Sequence, residues 1–160
     1  MLLLDGNDSY FDLPPDILSG LDEATIEGWV RWDEFRSYSR FFSFGEGYHR
    51  LCVYNFEEGS FLQCAMDLGR KDSEYISEKI RPRAALTAGR WVHVAVVLTK
   101  EGTSLYLDGT LAGSEPKAHL SLLKRNSENR LGASGSRLDG LYPLHGAMDE
   151  VRVWKVARTP

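Results

Sequence analysis

The amino-acid sequence predicts an all-β protein: a two-sheet antiparallel β-sandwich, or jelly roll, of about a dozen short strands. Three observations predict it. Apolar and polar residues alternate with period two along most segments, turn residues fall between those segments, and helical periodicity is nearly absent. The 160 residues suit one domain over 1–160, either a whole protein or a piece of a larger multidomain one.

The elements follow in order. Met1-Leu2-Leu3-Leu4 runs at once into the turn-forming Asp5-Gly6-Asn7-Asp8. That start leaves no space for the charged, apolar and cleavage regions of a secretory signal. The expectation is therefore either a cytoplasmic protein or a fragment of a longer chain, and the localisation stays unknown. Asn7-Asp8-Ser9 fits a glycosylation acceptor pattern, which carries little weight without such a signal.

Ile26, Val30 and Trp32 alternate with Glu27, Trp29 and Arg31, the pattern of a strand with one face in a core. Cys52 and Cys64 flank the turn Asn55-Phe56-Glu57-Glu58-Gly59-Ser60. A symmetric hairpin centred on Glu58 would set the two cysteines opposite one another on one face. Two readings stay open, a cross-strand disulfide or a pair of reduced, apolar-like thiols.

Val92, Val94, Val96 and Leu98 alternate with Trp91, His93, Ala95 and Val97. Leu105 and Leu107 continue the alternation, and Asp108-Gly109 then marks a tight hairpin into 110–112. Segment 119–124 is the one helical exception, long enough for a turn or so. Asp149, Val151 and Val153 alternate with Glu150, Arg152 and Trp154 in the closing strand.

Composition narrows the function. Hydrophobic residues make up 42% and charged residues 26%, and the net charge is −4. Lys and Arg are scattered, which argues against a nucleic-acid surface; Arg81-Pro82-Arg83 and Lys124-Arg125 read as solvated loops. No apolar run approaches the ~20 residues of a membrane span. As an isolated domain the chain is expected to be a monomer.

Several phrases together carry a family resemblance. They are Leu4-Asp5-Gly6-Asn7-Asp8-Ser9-Tyr10-Phe11, Ala24-Thr25-Ile26-Glu27-Gly28-Trp29-Val30-Arg31 and Gly89-Arg90-Trp91-Val92-His93-Val94-Ala95-Val96. Leu105-Tyr106-Leu107-Asp108-Gly109 and Gly146-Ala147-Met148-Asp149-Glu150-Val151-Arg152-Val153-Trp154 complete the set. In this order they resemble the laminin-G-like branch of the concanavalin A-like lectin/glucanase jelly rolls. Positions 35–83 carry no such phrase. The resemblance implies two curved sheets packed face to face, with first and last strands close together. It also implies a glycan or protein ligand, calcium in some members, and glucan cleavage in a minority branch.

The residues argue against catalysis. Retaining glycan cleavage needs two carboxylates ~5 Å apart, which alternating acids on one strand supply. No Glu-x-Asp-x-x-Glu triplet occurs, and the closest acidic groups are adjacent pairs, Asp22-Glu23, Asp33-Glu34, Glu57-Glu58 and Asp149-Glu150, whose members point to opposite faces of any strand. Gly132-Ala133-Ser134-Gly135 lacks nucleophile-elbow spacing, and His49, His93, His119 and His145 lack metalloprotease spacing. A non-catalytic binding module is expected.

Two candidate sites follow. Asp149 is expected to point inward with Val151 and Val153, where a bare carboxylate is costly. The resemblance brings it near the opening turn, so Asp5, Asn7, Asp8 and Asp149 form a candidate structural calcium site. The alternative is that Asp149 caps amides of that turn, with Asp5 and Asn7 merely favouring it. For a ligand, Tyr48-His49-Arg50 in the loop after Gly45, together with Tyr54 and Tyr142, are the candidates. Trp29, Tyr38, Tyr75 and Trp154 are further aromatics on polar strand faces or in loops, with Trp29, Trp91 and Trp154 read mainly as packing residues. Carbohydrate binding is the first expectation, and a protein-interaction or structural domain is the alternative.

Overall fold

In the computed structural model, which describes residues 1–72, 74–123, 127–135 and 140–159, the chain forms twelve strands and one 3₁₀ turn. In chain order the first six are β1 (Leu2–Asp5), β2 (Phe11–Leu13), β3 (Ala24–Trp32), β4 (Arg40–Glu46), β5 (His49–Asn55) and β6 (Leu62–Lys71). Then come β7 (Glu74–Ile80), β8 (Val92–Thr99), β9 (Gly102–Leu107), β10 (Thr110–Glu115), β11 (Glu128–Leu131) and β12 (His145–Trp154). The helical turn expected over 119–124 is Leu120–Leu122; Lys124 and Arg125 lie outside the described residues.

The strands pair antiparallel in two sheets of six. One runs β1-β12-β3-β8-β9-β10, the other β2-β11-β4-β5-β6-β7. The first and last strands are neighbours, as expected, with Leu2 opposite Met148 and Asp5 opposite His145. Between the sheets lies one core. Ile26, Val30, Val94, Val96, Leu98, Leu105 and Met148 face it from the first sheet, and Phe42, Phe44, Leu51, Val53, Leu62, Cys64 and Met66 from the second. Burial of these side chains is what holds the sheets together, each contributing about 1.5–3 kcal/mol.

The expected hairpin forms. Leu107 pairs with Thr110, and Asp108 and Gly109 both have positive φ, 48° and 76°, as a primed two-residue turn requires. The Asp108 carboxylate accepts a hydrogen bond from the His93 amide at 2.9 Å, which ties the turn to the neighbouring strand.

Two expectations fail on register. Cys52 lies opposite Ala65, and Cys64 opposite Val53, because the turn holds an even number of unpaired positions and centres between Glu58 and Gly59. The two thiols therefore face opposite sides of their sheet, Cys64 into the core and Cys52 away from it, and they do not form a disulfide with one another. Burial pushes the Cys64 thiol well above its ordinary range, with Cys52 and Asp67 adding to the shift.

Asp149 does not point inward with Val151. A bulge between Asp149 and Arg152, with Glu150 at φ 51°, inserts one residue. Val151 is thereby turned inward over Gly28, while Asp149 stays outside, opposite Trp29.

Candidate functional site

The outer face of the second sheet carries three cross-strand rows of side chains. One row is Arg40, Tyr54 and Gln63; another is Gly45, Arg50, Asp67 and Ser77. Between them runs Ser43, Cys52, Ala65 and Lys79. The middle row is made of small residues until it reaches Lys79 at the rim, so the taller rows on either side leave a trough. Period-two alternation puts these residues on one face, opposite the core-facing Leu51, Val53, Cys64 and Met66.

The trough is a cavity of about 290 Å³ lined by Tyr38, Arg40, Arg50, Tyr54, Phe56, Gln63, Asp67, Lys79 and Tyr142. Tyr38 sits at its head and meets Tyr54, Phe56 and Tyr142 edge-on, with ring centroids 5.7–5.9 Å apart. This T-shaped geometry is the favoured one for aromatic pairs. The Arg40 guanidinium lies over the Tyr54 ring at 4.4 Å and the Tyr142 ring at 5.4 Å.

At the other end Arg50 donates from Nε to Asp67 Oδ2 at 3.0 Å, and both side chains are buried. Gly45 lets β4 and β5 close there. Its φ is 150°, and a Cβ would meet the His49 carbonyl oxygen at 2.2 Å and Arg50 Cα at 2.5 Å. Gln63 bridges the opposite wall, donating to the Tyr54 hydroxyl and accepting from Arg81 Nε at 2.8 Å. Burial pushes the Tyr54 phenol far above its usual range, so it stays neutral and remains a hydrogen-bonding group. The Tyr38 phenol is also raised, by burial first and then by Glu57 and Tyr142.

Asn55 positions the aromatic end. Its side-chain NH₂ donates to the carbonyls of Arg36, Glu57 and Gly59 at 2.9–3.1 Å, and its oxygen accepts from Ser39 Oγ at 2.6 Å. One fully buried amide thus joins the loop that presents Tyr38 to the hairpin turn that presents Phe56. The Tyr142 loop is held by its carbonyl, which accepts from the Arg40 amide at 3.1 Å.

Of the five ligand residues expected from sequence, three converge here: Arg50, Tyr54 and Tyr142. Tyr48 and His49 do not. Tyr48 lies beside Arg70, 5.7 Å from ring centroid to guanidinium, and His49 pairs with Leu68 and packs under Gly69. Alternation sends His49 and Arg50 to opposite faces, so the loop does not act as one cluster. On the other sheet, Trp29 meets His93 edge-on at 5.3 Å, while Trp154 Nε1 donates to Glu27 and its ring lies under Arg158. The Tyr75 side chain lies outside the described residues.

Sequence reasoning missed Arg40, Gln63, Asp67, Lys79 and Phe56. The signal available was the alternation Arg50-x-Cys52-x-Tyr54 and Gln63-x-Ala65-x-Asp67, polar at both ends and small in the middle.

The four candidate calcium ligands are not brought together. Asp5 lies opposite His145, so along β12 the opening turn is about 13 Å from Asp149, at four residues of strand rise. Asp149 instead pairs with the Met1 amino group at 3.1 Å and caps the Glu150 amide, contacts that lower its pKa. Asp5 accepts from the Ser9 hydroxyl and from the Asn7 and Ser9 amides, which brings its pKa down to about 2. Among the described residues no group of three or more His, Cys, Asp or Glu side chains could hold a metal ion. The residues present do not fit the ion as a joint site.

Comparison with known proteins gives a concordant picture. A family model described as the concanavalin A-like lectin/glucanases superfamily matches residues 5–160. Among solved structures, the CBM40 of the Ruminococcus gnavus IT-sialidase, bound to α2,3-sialyllactose, superposes with a TM-score of 0.73 at 13% identity, covering 95% of this chain and 92% of that one. Domain 4 of AbnA, a GH43 extracellular arabinanase from Geobacillus stearothermophilus in complex with arabinotriose, gives 0.70 at 18%, covering 98% and 71%. Mouse laminin α1 chain domains LG4-5 give 0.69 at 18%, covering 96% and 40%. At these identities the likeness shows the fold. No curated protein sequence matches the chain.

Proposed function

The chain belongs to the concanavalin A-like lectin/glucanases superfamily, and from that premise we propose that it is a carbohydrate-binding module whose site is the trough on the second sheet. One observation carries the reading: four aromatic rings and a set of hydrogen-bonding side chains converge on a single 290 Å³ cavity. Sugar rings offer flat C–H faces to aromatics and hydroxyls to polar groups, and a few fixed polar contacts set orientation. Tyr38, Tyr54, Phe56 and Tyr142 supply the apolar surface; Arg50, Asp67 and Gln63 supply donors and acceptors. That two of the fold relatives were solved with sialyllactose and arabinotriose supports the same reading.

The module acts by binding, without cleaving. Glycoside hydrolysis needs a pair of carboxyl groups flanking the bond. Asp67 is the one carboxylate among the described residues that line the trough, and it is committed to Arg50.

A glycan microarray probed with the domain, followed by calorimetric titration of each hit, tests the proposal. Binding lost on Tyr142→Ala, with the melting temperature kept, is the supporting result. A blank array would favour a protein-interaction domain, and one observation speaks for that second reading. Beside the trough, Phe56, Phe61, Leu62, Arg81 and Pro82 border an apolar cleft of about 340 Å³, with Phe61 53% exposed.

A further inference from the structure

Arg40 is buried, 4% exposed, yet no carboxylate among the described residues pairs with it. Its Nε and Nη1 are closed off from solvent and find no hydrogen-bond acceptor among the described residues. Two tyrosine rings flank the guanidinium, but the ring quadrupole replaces only part of the hydration that a buried cation gives up. The other arginines of this face are treated differently. Arg50 has Asp67, and Arg130 has Asp12 at 2.8 Å together with the Ser134 carbonyl at 3.0 Å. Lys79, at the rim, also has no ion pair among the described residues. The lining thus holds three cations, Arg40, Arg50 and Lys79, against one carboxylate, Asp67, in a chain whose net charge is −4.

We infer that the glycan bound in the trough is acidic, its negative group set against Arg40, an inference that rests on the trough being the sugar site. A neutral sugar in this cavity would displace the remaining water and leave the cation still unpaired, which opposes binding. An anionic group would instead receive charge-assisted hydrogen bonds from a guanidinium already fixed between two rings. Carboxylate and sulfate share this chemistry. The planar guanidinium suits a carboxylate, and Lys79 stands where a second anionic oxygen or a flanking acidic unit would meet it.

The test is a microarray of matched oligosaccharides, each neutral sequence printed beside its carboxylated and its sulfated form, with titration calorimetry on the best pair. The expected result is at least about tenfold tighter binding of the acidic member, equivalent to about 1.4 kcal/mol. That preference should weaken about a few-fold between about 50 and 500 mM salt, since the site is partly screened by burial. Which acidic form prevails identifies the group. Arg40→Gln should abolish the preference while the protein melts no lower than wild type, since an unpaired buried charge has been removed; Arg40→Lys should keep part of it. Equal binding of neutral and acidic members overturns this inference and leaves the carbohydrate reading standing. Binding to no glycan overturns both. The wild-type array decides between these outcomes even if Arg40→Gln does not fold.

Discussion

The two outer faces of the sandwich use the same residue types in different ways. On the β1-β12-β3-β8-β9-β10 sheet, Arg31 pairs with Asp33 at 2.6 Å, Arg158 with Glu27 at 3.1 Å, and Trp29 packs on His93. These groups lie open or half-open, and such pairs contribute little in water. On the other sheet Arg40, Arg50, Tyr54 and Asp67 are buried, and Arg40 has no anion among the described residues. Exposure alone would rank Trp29, 41% exposed, above Tyr54, 7% exposed, as a binding residue. Burial together with incomplete pairing selects the trough. A polar group that folding has desolvated without satisfying is the stronger sign of a ligand.

The largest break in that contrast comes from Asp67→Ala, which takes from the buried Arg50 the carboxylate it pairs with. A loss of about 3–5 kcal/mol in urea unfolding is expected, whereas Arg31→Ala on the opposite face should leave the midpoint unchanged. Next is Asn55→Ala, which strands three carbonyls and should cost about 2–3 kcal/mol. The same change should weaken glycan binding, because Tyr38 and Phe56 lose their common support. Tyr142→Ala sharpens the comparison in binding: an affinity loss of about tenfold or more is expected, with Trp29→Ala without effect in the same titration.

The smallest effect concerns acid stability. Asp5 has its pKa depressed to about 2 by Ser9 and the turn amides. Its contribution is therefore full above the unfolded value near 4 and is lost as pH falls toward 2. Asp5→Asn should remove that contribution at neutral pH, flatten the stability profile between pH about 4 and 2, and leave glycan binding unaltered.

The sandwich was legible because alternation, turn chemistry and the Asp108-Gly109 hairpin all point the same way. What the alternation could not reveal were the places where it breaks. Arg40 is followed by Phe41 and Phe42, both buried, and the bulge between Arg40 and Phe42 is what returns Arg40 to the outer face beside Tyr54. The bulge after Asp149 turns that carboxylate out by the same device. Only the facing of the two cysteines was missed, because adding or removing one turn residue exchanges the faces of a whole strand, while the reading as reduced thiols agrees with the structure. Arg50 and Tyr54 share one face of β5 by period two, but their meeting with Tyr142, which lies in the loop before β12, depends on tertiary packing that local pattern does not encode. Asp67 carries no local mark, since its place between Arg50 and Ser77 is set by strand pairing.

Both strands that carry the chain ends, β1 and β12, belong to the sheet opposite the trough, and the tail beyond Trp154 folds against Thr25 and Glu27 on that side. Tethering through either end, to a neighbouring polypeptide or to a sensor chip, would therefore leave the cavity facing outward. A surface loaded by its amino terminus and one loaded by its carboxyl terminus should capture the same ligand with equal capacity.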